Sequence, residues 1–256
     1  MNGTVVVGVD GTPAGLDALD AATDEALRRS STLLIAYASD VSSPGTGPAV
    51  VMEAAARAHG RSRALRVETC SEAGPAGPYL VRLSGSAALL VVGSSESSAL
   101  VGLLTGSVSA YVAAHARCPA LIVPADSALI EAPENPGTIV VGVSPDHPAE
   151  ASIDFAVENA GLRQVDVRIV IATSGLSDAQ RSHATQLVDE WESSRPIIAF
   201  HAEQVDLPPD EALIAASEEA GLLVIGTSAH GGRLGHVGRT MLKHAFCPVA
   251  FVPNPD

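Results

Sequence analysis

The chain has 256 residues, a hydrophobic fraction of 46%, an aromatic fraction of 3% and a formal net charge of −14. A core of that composition is built from Val, Leu, Ile and Ala, which suits buried parallel strands covered by helices on both faces. The charge works against binding a nucleic-acid backbone, and no apolar run approaches the roughly 18 residues of a membrane helix, so neither nucleic acid nor membrane is an expected partner.

The first predicted strand is Val5–Asp10. Thr12 suits an N-cap and Pro13 the first helical position, so a helix is predicted to about Arg29, with Leu16, Leu19, Thr23, Ala26 and Leu27 on its apolar stripe. Leu33–Ala38 is a second strand, Ser42–Pro48 a Gly/Pro/Ser-rich loop, and Val50–His59 a helix ended by Gly60. A third strand at about Leu65–Thr69 and a short helix over Pro78–Ser84 lead to Leu89–Val92, an apolar run that stops at Gly93. A polar loop follows, Gly106-Ser107 opens a helical segment, Cys118-Pro119 breaks it, and Ala120–Val123 is the fifth strand.

The second half repeats the first. Thr4–Asp10 (TVVVGVD) returns as Thr138–Ser144 (TIVVGVS), Leu89–Gly93 as Leu222–Gly226, and the His-Ala-x-Cys-Pro run at His115–Pro119 as His244–Pro248. Two domains are expected, 1–125 and 138–256, joined by a linker over 126–137 marked by Pro133, Pro136 and Gly137. In the second copy, Asp146 is expected to cap a helix over Ala149–Leu162 and Ser177 a long helix to about Ser194. Strands are expected at Ile139–Val143, Val167–Ala172, Ile197–His201, Leu222–Ile225 and through Ala250–Val252, with a helix over Glu211–Glu219.

Strands alternating with helices imply an α/β fold of doubly wound parallel sheets. Ligands of such sheets bind beyond the strands' carboxyl ends where strand order reverses, so Asp10 and Gly93 border one crevice if their strands are neighbours. Gly106-Ser107-Val108-Ser109 at a helix start is a candidate phosphate cradle, because the first turn offers free N–H groups and partial positive charge. The plainer readings are Ser107 as an N-cap and Asp10 as the residue that turns the loop into Thr12.

Gly8–Pro13 (GVDGTP), Val91–Ser94 (VVGS), Gly106–Ser109 (GSVS) and His115–Pro124 (HARCPALIVP) together resemble the universal stress protein family, and with the repeat the likeness covers nearly the whole chain. It implies a five-stranded sheet of order 3-2-1-4-5 in each copy (the adenine nucleotide alpha hydrolase-like arrangement), with the last strands paired across a pseudo-twofold axis. It also implies ATP, with or without Mg²⁺, held by Asp10, Ala38, Val92, Gly93, Gly106, Ser107, Val108 and Ser109. Family binders carry Gly-x-x-Gly, nine further residues, then Gly-Ser or Gly-Thr. Here Gly93 and Gly106-Ser107 match with the right spacing, but Glu96 replaces the second Gly. A carboxylate about 5 Å from a phosphate, at an effective dielectric near 20, costs roughly 3 kcal/mol, or about two decades of affinity. It escapes that cost by pointing outward or by meeting Mg²⁺.

The second copy departs further: Ser144 replaces the acid, Ala229 the second Gly, and Gly235-His236 stands where Gly-Ser belongs. It is read as mainly structural, although His230-Gly231-Gly232-Arg233 is Gly-rich enough to cradle an anion. His115 and His244 read as structural residues near helix ends, His230 and His236 as neighbours of that loop, and Trp191 as a packing anchor. Nucleophile elbow, Walker loop and zinc spacing are all absent from the sequence, so no catalytic or metal residues are assigned. Met1-Asn2-Gly3-Thr4 lacks a basic region and a cleavage pattern, and three cysteines without a Cys-x-x-Cys pair fit a reducing cytoplasm, with Cys118 and Cys247 as apolar fillers. The expectation is a cytoplasmic, non-enzymatic stress-response regulator, a pseudo-dimer within one chain that is able to form a homodimer. A nucleotide-free interaction scaffold and a weak ATPase are the alternatives.

Overall fold

Short Val/Leu/Ile runs flanked by glycine and small residues become the inner strands of two parallel sheets. The computed structural model describes residues 3–39, 47–94, 108–125, 137–146, 149–194, 200–227 and 233–254, and the chain divides into two units, Met1–Glu131 and Ala132–Asp256. The first unit contains β1 (Thr4–Gly8), α1 (Pro13–Arg28), β2 (Thr32–Ser39), α2 (Gly47–Arg61), β3 (Val67–Ala73), α3 (Ala76–Ser84), β4 (Ala87–Ser94), α4 (Val108–His115) and β5 (Ala120–Pro124). The second contains β6 (Thr138–Val143), α5 (Glu150–Arg163), β7 (Val167–Ala172), α6 (Asp178–Ser194), β8 (Phe200–Val205), α7 (Pro209–Ser217), β9 (Ala220–Thr227), α8 (His236–His244) and β10 (Val249–Pro253).

Each unit has an all-parallel sheet, in order β3-β2-β1-β4-β5 and β8-β7-β6-β9-β10. The duplication extends to its irregularities: the central pairings β1–β4 and β6–β9 shift register at the same place, Thr4/Val5 and Thr138/Ile139. Val5, Val7, Leu33, Ile35, Leu90 and Val91 are wholly buried in the first unit, as are Ile139, Val140, Val141, Leu222, Leu223 and Val224 in the second. Each such side chain contributes about 1.5–3 kcal/mol by leaving water.

α1 begins as its sequence implies, with Pro13 at its start and the Thr12 hydroxyl accepting the Gly15 N–H. Its buried face is built of smaller residues than expected. Ala14, Gly15, Ala18, Leu19, Ala22, Thr23 and Ala26 face inward, whereas Leu27 is 39% exposed. Small residues let the helix lie close on β1 and β4. Gly60 does not end α2, which starts at Gly47 and runs through to Arg61. Arg57 on α2 forks onto both carboxylate oxygens of Asp20 on α1, at 2.8 and 2.6 Å. β3 and β8 lie further along the chain than expected, and of the expected Ile197–His201 strand, residues 197–199 lie outside the described residues.

Asp146 does not cap α5. Ala149 stands at the N-cap without a side-chain bond, while an Asp146 oxygen accepts the Gln180 amide at 2.7 Å. Ser177 and Gln180 cap α6 reciprocally: the Gln180 N–H donates to the Ser177 hydroxyl, and the Gln180 side-chain oxygen accepts from the Ser177 N–H and hydroxyl. Trp191 is buried on that helix.

A serine pins each Cys-Pro segment. The Ser84 hydroxyl donates to the Val81 carbonyl and accepts the Arg117 N–H at 2.9 Å. Ser217 does the same with the Ile214 carbonyl and the Phe246 N–H at 3.1 Å. Both serines are 1% exposed. The following cysteines, Cys118 and Cys247, are buried, and burial pushes each thiol up to about 12.

Candidate functional site

In the first unit β1 lies between β2 and β4, so strand order reverses beside it, and Asp10 and Gly93 emerge on neighbouring strands. Beyond β1 the backbone turns through Gly11, whose φ of 79° is in the region glycine tolerates best. Asp10 closes this turn: its Oδ1 accepts the Thr12 N–H at 2.9 Å and the Thr12 hydroxyl at 2.6 Å. The Thr12 hydroxyl in turn accepts the Gly15 N–H at 3.2 Å. Asp10 is exposed, and its Oδ2 has no partner among the described residues. The carboxylate is therefore held in place at one oxygen and open at the other.

The first turn of α1 joins the two strand ends. A Cβ on Gly15 would lie 2.5 Å from Asp10 Oδ1, and one on Gly93 would lie 2.7 Å from the Ala14 carbonyl carbon. Helix packing thus accounts for glycine at position 93. The structure brings Asp10 and Gly93 together through Ala14 and Gly15, two small residues whose role the sequence reading missed. The run Gly11-Thr-Pro-Ala-Gly15 was the available signal. Val92 is different: it is 3% exposed, and its side chain packs toward Gly8 beside Leu80 of α3. Its side chain belongs to the core and offers a ligand no side-chain contact. Ala38 is half-buried near the end of β2, in register with Glu72. Val108 opens α4 and is 37% exposed, followed by buried Ser109. Gly106, Ser107 and Glu96 lie outside the described residues.

The second unit rearranges the same crevice. The Ser144 hydroxyl, at the position of Asp10, accepts the Asp146 N–H at 3.4 Å. α5 starts at Glu150, and Gly226 is the counterpart of Gly93. The nearest atoms to a Cβ there would be Ser152 Oγ at 3.1 Å and Asn254 Nδ2 at 3.2 Å. His236 begins α8 and pairs with Asp210 of α7 at 3.2 Å. His115 bonds the Tyr111 carbonyl through Nδ1 and stacks on the Tyr111 ring. Ala229 and His230 lie outside the described residues. Among the described residues, no group of three His, Cys, Asp or Glu is placed to hold a metal ion, and no helix is long and apolar enough to cross a membrane.

The sequence model of the universal stress protein family matches residues 1–124 and 136–253. Universal stress protein Rv2623 of Mycobacterium tuberculosis is 32% identical over 189 residues, covering 67% of this chain and 63% of that protein. Universal stress protein Rv2005c of the same organism is 29% identical over 190 residues, covering 67% and 64%. The chain therefore spans a little under two thirds of the length of the curated relatives it matches. Among solved structures, a universal stress protein from Archaeoglobus fulgidus shares the fold, with a TM-score of 0.75, 14% identity and full coverage of both chains. A functionally unknown protein from Pseudomonas aeruginosa has a TM-score of 0.72 and 16% identity over 98% of this chain and 92% of that one.

Proposed function

Because the chain belongs to the universal stress protein family, we propose that its first unit binds an adenine nucleotide, ATP with Mg²⁺, in a regulatory and non-catalytic role in the cytoplasm. The observation that carries the proposal is the Asp10 carboxylate at the strand-order reversal, fixed by Thr12 through Oδ1 and open at Oδ2. A carboxylate so placed accepts hydrogen bonds from a ribose hydroxyl. Phosphates then extend toward the start of α4, where Gly106, Ser107, Val108 and Ser109 supply N–H and hydroxyl donors. Mg²⁺ relieves the charge of Glu96. Ala38 and the backbone at Val92–Gly93 border the base, and the second unit serves as the structural partner.

The test is titration calorimetry of the full chain with ATP and Mg²⁺, alongside assay of nucleotide released on denaturation. Asp10→Ala should weaken binding about ten- to a hundredfold, the worth of a hydrogen bond to a charged group. A chain that binds no nucleotide, with or without Glu96→Gly, refutes the proposal.

Two observations favour a nucleotide-free scaffold instead: Thr12 already uses one oxygen of Asp10, and Ala14 already fills the space at Gly93. Steady ATP turnover abolished by Ser107→Ala would point to an ATPase.

A further inference from the structure

We propose that this chain associates with a second copy of itself through two rims of opposite charge: a basic rim on the first unit of one copy meets an acidic rim on the second unit of the other. The contact is independent of the nucleotide reading of the first unit. In an all-parallel sheet with helical crossovers, strand starts and helix ends gather at one end of each unit. In the first unit that end is basic. Arg28 closes α1, His59 and Arg61 close α2, and Arg63 and Arg66 follow in the turn before β3. Arg117 lies at the end of α3, its Nη1 3.6 Å from where a Cβ on Gly85 would stand. All of these are exposed. The neighbouring acids are engaged locally: Glu25 by Arg28 and Arg29, Asp24 by Arg61 and Glu68 by Arg66. Arg63 has no ion-pair partner among the described residues.

The duplication keeps the core and reverses this rim. Where the first unit has Arg28, Thr32, Gly85, Ser86 and Arg117, the second has Leu162, Asp166, Glu218, Glu219 and Phe246. Asp166 and Glu219 precede β7 and β9, the two strands that flank β6, so they stand about 10 Å apart at ordinary strand spacing. Glu218 is the C-cap of α7, whose last turn has no basic residue. Cations at a helix end are favoured by its dipole, which accounts for much of the first rim, but acids there oppose it. Asp166, Glu218 and Glu219 are all exposed, and so is Phe246, at 54%. The Phe246 N–H donates to the Ser217 hydroxyl at 3.1 Å, which sets this ring beside Glu218. An exposed ring next to carboxylates receives an arginine well: the guanidinium stacks on the face and pairs with the acid. Lys243 and His244, at the end of α8, are the exposed basic residues near it. The contact joins unlike surfaces, so it builds a ring or a row of copies.

The test is sedimentation velocity of the full chain, up to about 1 mM protein and at about 0.1 M salt, where the Debye length is about 10 Å. Repulsion between two copies of net charge −14 is then screened, while pairs at contact still act. Reversible self-association is expected, and it should weaken at about 1 M salt, where the Debye length is about 3 Å. Arg63→Glu/Arg66→Glu and Glu218→Lys/Glu219→Lys alter exposed side chains in turns and should keep the fold. Each variant alone should self-associate at least about tenfold more weakly than the wild type, and Phe246→Ala should weaken association as well. An equimolar mixture of the two charge-reversed variants should recover it, because each carries the rim that the other needs. A wild-type chain that stays monomeric, charge-reversed variants that associate as the wild type does, or a mixture no tighter than its components overturns the proposal.

Discussion

The backbone of Ala14 lies where a side chain on Gly93 would have to go, so the first turn of α1 and the end of β4 are locked by the absence of a single carbon. The obstacle is backbone, which cannot swing away as a side chain does. Gly93→Ala should therefore destabilise the first unit by about 3 kcal/mol or more, the upper range for overpacking. Gly226→Ala, which meets side-chain atoms at 3.1–3.2 Å, should cost under about 1.5 kcal/mol. Denaturant unfolding of the two variants checks the asymmetry; equal losses would contradict it.

Ser84 and Ser217 each join a helix end to a Cys-Pro segment far along the chain. Replacing either by Ala strands a backbone N–H in a buried setting, at a cost of about 1–3 kcal/mol. The two sites lie in different units and share no partners, so the double variant should show additive losses. Chemical unfolding of the two single variants and the double variant measures this.

Asp10 has a turn-forming oxygen and an open one, and two substitutions separate their roles. Asp10→Asn keeps an acceptor for Thr12 and should change stability by no more than about 0.5 kcal/mol, while losing the charge proposed to grip the nucleoside. Thr12→Ala removes the cap of α1 and should cost about 1 kcal/mol of stability. Its effect on nucleotide affinity should come only through disorder of the turn. Calorimetry and thermal unfolding on the same samples distinguish the two.

Cys118 and Cys247 stay protonated in the fold up to about 12, against an ordinary value of 9.0. An unfolded chain ionises first, so the stabilisation by each thiol is complete below pH 9 and is lost as pH rises towards 12, by up to about 1.4 kcal/mol per pH unit. The Cys118→Ala/Cys247→Ala variant should show a shallower fall in stability above pH 9. Native protein at pH 8 should react with alkylating reagent at Cys70, which is half-buried, before the two buried thiols.

The inner strands were legible because each is an apolar run stopped by glycine, and α1 because Thr12-Pro13 carries its own start signal. Copy-to-copy matching then placed the second unit. What escaped were features set by partners distant in sequence. Asp146 reads as a cap for the helix just after it, yet Gln180, 34 residues on, takes its carboxylate. Ser84 reads as a helix end until Arg117 is folded against it. Gly93 reads as a ligand glycine, and the pattern does not also say that Ala14, beyond the carboxyl end of the neighbouring strand, packs against it. Val92 belongs to the ligand set by the family resemblance alone, and its side chain packs beside Leu80 of α3, a contact fixed by a residue twelve positions away.

β3 and β8 each pair with one strand only in their units, through β2 and β7. Along these margins Glu68, Glu72, His201 and Glu203 are exposed. A second molecule trying to extend either sheet would have to pack against Glu68, Glu72 and Glu203 and the arginines paired with them, Arg66, Arg82 and Arg168, a cost that discourages fibril growth. Those few charges keep the two sheet edges soluble, and neutralising them should lower the concentration at which the protein begins to aggregate.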